Sequence, residues 1–266
     1  MAIVDVHVHI YPDKVAVKAA ESVGDFYHIE MEEPDGIVGR YLSIMDSCPI
    51  THAVVHSVAV KPKTVTSIND FIAQTCKDHP ELFGFMTMHQ DFEDPAAEIE
   101  RACGMGLLGI KLHPDTQKVN LDDPRLMAVY EIAEKKGLPV IFHTGDYRYD
   151  YSHPRRLKHV LDTFPNLTVN AAHFGGWSVY DLAVEYLEHE RCFLDVSSSM
   201  RYLGQRRVRE LVEIYGSDRI LFGSDFPMWH SPQELEIFCA NTFSDAELER
   251  MCWHNTESFL SRDIGR

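Results

Sequence analysis

Eight short runs of β-forming residues recur along this chain, and stretches with a helical pattern separate most of them. The runs are Ile3–Ile10, His52–Val60, Leu82–Met88, Leu108–His113, Pro139–His143, Leu167–His173, Cys192–Ser197 and Arg219–Gly223. Strands separated by helices cannot pair as hairpins; they need crossovers, and crossovers build parallel sheets. Eight such units predict an α/β fold closed into a (β/α)8 (TIM) barrel. A doubly wound open sheet is the rival on pattern alone. The 266 residues suit one barrel, and with no repeat, low-complexity tract or linker the chain reads as a single domain over 1–266.

The helix boundaries carry their own chemistry. Asp123-Pro124 supplies an N-cap and a proline at the first helical position, and Gly137 closes the same helix after Lys135-Lys136. Ser244-Asp245-Ala246-Glu247 is a capping-box start for a last helix reaching about Leu260. Further helices are expected over Ser67–Lys77, Pro95–Cys103, Pro154–Thr163, Tyr180–Glu190 and Leu203–Tyr215.

Composition narrows the function. Apolar residues make up 45% of the chain, enough for a large core, yet no apolar stretch is long enough to span a membrane. A formal net charge of −16 argues against nucleic acid, whose phosphates need a basic face. The six cysteines are scattered without a C-x-x-C pair, as expected of reduced thiols, so any metal is left to histidine and carboxylate. Met1-Ala2-Ile3-Val4-Asp5 has no basic leader region, and a cytoplasmic location is expected. The expected partner is a small-molecule substrate, with homo-oligomer formation left open.

Strand alternation aims the unusual residues. Period two predicts that Val4, Val6 and Val8 face the helices while Asp5, His7 and His9 line the barrel. Alone, an H-x-H pair is ordinarily two satisfied histidines. The other strand ends change that reading. The fourth ends in Lys111 and His113, the fifth in His143, the sixth in His173 and the eighth in Asp225. Active sites of (β/α)8 barrels sit at the C-terminal ends of the strands. Imidazoles with one carboxylate form the donor set of a catalytic divalent metal.

These segments resemble the amidohydrolase superfamily, in particular the amidohydrolase-2 branch that includes enzymes like aminocarboxymuconate semialdehyde decarboxylase. The resemblance rests on DVHVH at 5–9, GIKLHP at 109–114, DDPRL at 122–126, LPVIFHTGD at 138–146, FPNLTVNAAHFGG at 164–176 and ILFGSDFP at 220–227. It implies that His7, His9, His143 and Asp225 bind the metal, and that His173 lies beside the reacting water. Zinc is the expected ion, with manganese the alternative.

The reading then forks at Lys111. A cation aimed at a divalent ion is unfavourable unless something offsets it. Carbamylation would make Lys111 an anionic bridge between two metals. Otherwise it stays cationic, pairs with Asp225 or a neighbour, and binds a substrate carboxylate. One ion is favoured. Asp225 and His173 are the expected proton carriers, and metal-dependent hydrolysis of an amide, lactone or ester is the leading reaction. Nonoxidative decarboxylation of an aromatic or unsaturated acid is the alternative. His113, Tyr147, Arg148 and Trp177 are candidate substrate contacts, Trp229 a further pocket wall, and Phe26-Tyr27-His28-Ile29 a candidate lid. His52 and His56 read as packed or supporting residues.

Overall fold

A computed structural model describes residues 2–265. The eight strands are β1 (Ile3–His9), β2 (Ile50–His56), β3 (Leu82–Thr87), β4 (Gly109–Leu112), β5 (Val140–Phe142), β6 (Val169–Ala171), β7 (Phe193–Asp195) and β8 (Ile220–Leu221). They pair in chain order, all parallel. Backbone bonds from Val6 N to Phe222 O and from His9 N to Phe226 O, with a bridge between Val8 and Phe226, join the eighth strand's exit to β1. The expected barrel is therefore the fold, and the open sheet is excluded. No helix among the described residues is long and apolar enough to cross a membrane, and the six cysteines are free thiols.

The helices between strands are α3 (Val65–Asp78), α4 (Pro95–Gly104), α6 (Pro124–Lys136), α7 (Pro154–Thr163), α8 (Tyr180–Leu187) and α9 (Met200–Tyr215), with a short α5 (Pro114–Gln117) straight after β4. Asp123 caps α6 on the amide of Arg125, and Gly137 ends it in the left-handed region. Ser244 and Glu247 form the capping box of α11 (Asp245–Glu249). That last helix is interrupted: a π turn over Arg250–His254 precedes α12 (Asn255–Leu260).

Three expectations need correction. The second strand runs Ile50–His56, two residues earlier than expected and ending before Ser57. The long connection after β1, for which the pattern predicts no helix, holds α1 (Asp13–Tyr27) and α2 (Val38–Met45). Finally, strict alternation fails within β1. Its register against β2 shifts between Asp5 and Val8, which pair with Ala53 and Val55, so three steps on β1 match two on β2. This is a bulge, one extra residue that resets which face the strand presents.

The bulge has a direct consequence for the site. Val4 and Val6 pack inside the lower barrel with Val54, Phe85, Ile141 and Leu221. Val8 and Ile10 pack outward in the helix-facing core with Tyr41 and Ile44. Asp5 accepts from Tyr41 Oη at 3.1 Å and from the Ser224 amide at 2.9 Å. Beyond the extra residue, His7 and His9 point to the barrel mouth. An apolar lower barrel and a polar upper barrel are thus drawn from one strand.

Candidate metal centre

His7 is the hub of the barrel mouth. Its Nδ1 lies 3.0 Å from Asp195 Oδ2 at the end of β7, so Nδ1–H donates to the carboxylate and Nε2 is left with a lone pair. That Nε2 is 3.4 Å from Asp225 Oδ1, and His9 Nε2 is 3.6 Å from the same oxygen. Two ligands each about 2.1 Å from one ion stand roughly 3.0–3.4 Å apart. Both histidines stand at nearly that spacing from Asp225. Ser198 Oγ donates to Asp225 Oδ2 and takes the indole N–H of Trp229, so the carboxylate is aimed from behind.

His173 and His143 form the second half. His173 Nδ1 is 2.9 Å from the Ser197 carbonyl and His143 Nε2 is 2.9 Å from the Gly145 carbonyl. Each carbonyl needs a donor, so both remaining nitrogens carry lone pairs. Those two nitrogens, His143 Nδ1 and His173 Nε2, face each other at 3.0 Å. Two lone pairs at that distance are stable only with a proton or cation between or beside them. His7, His173 and Asp225 also lie within ligand reach of one another. The donor set therefore fits a divalent ion.

Electrostatics favours the forms such a site needs. Burial pushes His9 and His143 well below the ordinary imidazole value, and brings His173 down to about 4. All three are neutral at pH 7, the form that ligates. Burial pushes Asp225 up, but the imidazoles of His7, His173 and His9 outweigh it and hold the carboxyl below its usual range. The same contest, with His7 the strongest opponent, holds Asp195 well below that range.

Lys111 is fully buried, with Nζ 3.0 Å from His7 Nε2. Burial lowers it to about 8, against the pull of Asp195 and Asp225. It stands beneath the metal cluster and does not line the cavity. His113 does line it, stacked 3.9 Å from His143 and bonded through Nε2 to Tyr27 Oη at 2.7 Å.

Above the cluster lies a cavity of about 450 Å³. His7, His9, His113, His143, His173 and Asp225 form its floor, while Ala19, Val23, Phe26 and Tyr27 of α1 cover one side. Val58, Val60, Pro227 and Met228 complete the apolar wall, and Thr116 and Lys118 stand at the rim. The end of the first helix thus takes the place expected of a lid. Trp177 lies against Tyr27, ring centres 5.1 Å apart, in a crevice shared with His143 and Ser198. Trp229 is a wall behind Asp225 rather than a lining residue of the main cavity.

Two candidate contacts are placed elsewhere. Tyr147 is 74% exposed and outside the cavity. Arg148 is forked onto Asp146, donates to the Phe26 carbonyl at 2.7 Å, and lies over the rings of Phe26 and Tyr27. It clamps the end of α1 and does not face the cavity. Sequence reasoning also missed Asp195, Ser197 and Ser198. Asp195 had a signal: it ends a barrel strand, the same cue that identified Asp225.

Comparisons with known proteins bear on the family and the fold. Residues 4–262 match the amidohydrolase model Amidohydro_2. The chain belongs to that family. A relative, the 2-amino-3-carboxymuconate-6-semialdehyde decarboxylase of Dictyostelium discoideum, is 25% identical over 74% of this chain. The match covers 66% of that relative's length. Among solved structures, a dihydroxybenzoic acid decarboxylase from a Polaromonas species, with bound manganese and the inhibitor 2-nitroresorcinol, superposes with a TM-score of 0.76 at 18% identity, covering 98% of this chain and 97% of that one. The 5-carboxyvanillate decarboxylase of Sphingomonas paucimobilis gives 0.74 at 18% identity, covering 98% and 99%. At these identities the superpositions bear on the fold.

Proposed function

We propose that this amidohydrolase-family chain is a metal-dependent nonoxidative decarboxylase of a small aromatic or unsaturated carboxylic acid. The observation that carries the reading is an apolar-walled cavity, sized for one aromatic ring with substituents, standing directly on a histidine–aspartate cluster. The sequence reading placed hydrolysis first; the named relatives are decarboxylases, and this moves decarboxylation ahead of it.

His7, His9, His143 and Asp225 are the proposed ligands of one ion, manganese or zinc. Bound there, a divalent ion would draw negative charge from the oxygens of the substrate. The apolar wall would orient the ring and exclude water, and Lys118 at the rim is placed to meet an anionic substituent. In the reaction the bond to the carboxylate breaks, its electron pair stays on the substrate carbon, carbon dioxide leaves, and that carbon takes up a proton. His173 Nε2, whose lone pair is free because its Nδ1 is committed to the Ser197 carbonyl, is the atom proposed to accept this proton from water and relay it to the carbon. Asp225, kept ionised and oriented by Ser198, is the partner through which the proton is resupplied.

Lys111 takes the cationic branch of the fork in this reading, its ammonium drawn to Asp195 and Asp225 while the His7 Nε2 lone pair goes to the ion. Two equivalents of metal together with added mass on Lys111 would overturn that branch. The reaction itself is tested by loading the chain with manganese or zinc and measuring carbon dioxide release across hydroxybenzoic and unsaturated acids, beside turnover of lactones and amides. Decarboxylation is expected to be the faster activity, with His173→Asn lowering kcat about 10²–10⁴-fold while metal content stays unchanged. Lactone or amide turnover without carbon dioxide release would restore hydrolysis.

A further inference from the structure

His56 is the last residue of β2 and pairs in register with His9, so both side chains leave the sheet on the same side. It is fully buried. Neither of its ring nitrogens has a hydrogen-bond partner among the described residues. Every other imidazole around it is committed on at least one nitrogen or carboxylate-paired: His7 to Asp195, His173 to Ser197, His143 to Gly145. Burying an imidazole with both nitrogens unpaired is unfavourable. A phenylalanine would fill the same space without that cost, so packing alone does not account for a histidine here.

The arrangement of the rings supplies the missing partner. His56 lies 4.5 Å from the His9 ring at an interplanar angle of 83°, and 5.1 Å from the His7 ring at 73°. One nitrogen from each of the three rings falls within 4.8 Å of the others. Rings splayed in this way can turn lone pairs toward a common centre. The contrast is the His113–His143 pair, whose planes differ by only 6°; lone pairs on stacked rings run side by side and do not converge. We propose that His56 is a further ligand of the divalent ion, forming with His7 and His9 a three-imidazole face opposite Asp225.

This assignment rests on the metal reading given above, and it adds β2 to β1, β5 and β8 as a fourth strand supplying the centre. An added neutral nitrogen donor shifts the preference of the site toward zinc and cobalt relative to manganese, which suits oxygen donors better. The test uses the full chain, stripped of metal and reloaded with zinc or cobalt. Parent, His56→Phe, His56→Gln and His7→Ala are compared by chelator competition and by the visible absorption of the cobalt form. Circular dichroism establishes which variants fold, and the glutamine form stands in where the phenylalanine form does not.

The expected result is that the His56 variants lose at least about 10-fold in zinc affinity, a loss of the size seen when groups that orient or hold a metal are removed. Their cobalt bands should also shift or weaken. A role in packing alone would move neither readout. Parental affinity and an unchanged cobalt spectrum in folded His56 variants, alongside loss of metal in His7→Ala, would overturn the assignment only. Failure of the parent chain itself to bind either ion would overturn the metal reading and this assignment with it.

Discussion

At the scale of single residues, the site depends on groups that do not touch the cavity. Asp195 is the clearest case. Its Oδ2 receives His7 Nδ1 and Asn170 Nδ2, and its Oδ1 receives the amides of His173 and Ser197 at 3.2 and 3.1 Å. One buried carboxylate therefore orients the imidazole of His7, selects its tautomer and anchors the backbone that carries His173. An asparagine there keeps the shape but loses the charge that makes His7 a good ligand. Asp195→Asn is expected to weaken metal binding about 10- to 100-fold, with secondary structure retained; chelator competition on the purified variant checks it.

The residue scale also marks a limit of reading by pattern. His7, His9, His143, His173 and Asp225 were legible as candidates because each lies near or just beyond the C-terminal end of a strand, the face that carries active sites in this fold. Arg148 and Tyr147 were candidates by the same proximity, on the loop after β5. Their fate depended on a neighbour absent from that stretch of sequence. Arg148 had Asp146 two residues before it and the Phe26 carbonyl on α1 to bind, and together these hold it away from the cavity.

At the scale of elements, the connection between turns explains the placement of His143 and His173. Gly145, with φ at 78°, turns the chain after β5. A side chain there would meet Gly176 at 2.5 Å, so the turn following β6 packs directly on it, fastened by Trp177 N to Thr144 O at 2.8 Å. Two adjacent glycine turns thus set the spacing of the histidines they follow. On the opposite side, α9 and α10 (Ser231–Cys239) are joined by Arg201, which bridges Glu234 and Glu32.

That junction has a pH signature. Burial raises Glu234 from 4.5 to about 7, and Arg201 offsets only part of it. The folded chain thus holds this proton more tightly than the unfolded one. The corresponding stability is fully present below pH 4.5 and is lost as pH rises through about 7, a change of roughly 3 kcal/mol. Glu234→Gln removes the titration. The melting temperature of the variant relative to the parent should therefore climb between pH 4.5 and 7 and level off above; thermal melts across that range measure it.

At the scale of the molecule, the barrel separates stability from chemistry. The lower interior is apolar, filled by Val4, Val6, Val54, Phe85, Ile141 and Leu221, and the upper interior carries the titratable groups. Gathering several buried imidazoles and carboxylates at one end is unfavourable unless they are paired or ligating. A bound ion should consequently stabilise the fold. With free metal at about 100 times its dissociation constant the gain is about 2.7 kcal/mol, roughly 5–10 °C for a chain of this size. Calorimetry before and after chelation tests this, and an unchanged transition would count against a resident metal.

The sequence by itself determined the barrel, the eight strand positions to within a few residues, the caps of its best helices and the histidines and aspartate gathered at the barrel mouth. Those features are periodic or local, and period and capping are written in neighbouring residues. Tertiary structure alone decided the rest. The bulge at Asp5–Val8 overrides alternation because the ladder with β2 absorbs an extra residue. Helix α1 became the wall of the cavity because Arg148, far along the chain, holds its end. His56, one histidine among fifteen in sequence, became distinctive only when folding buried both its nitrogens beside His7 and His9 without a partner.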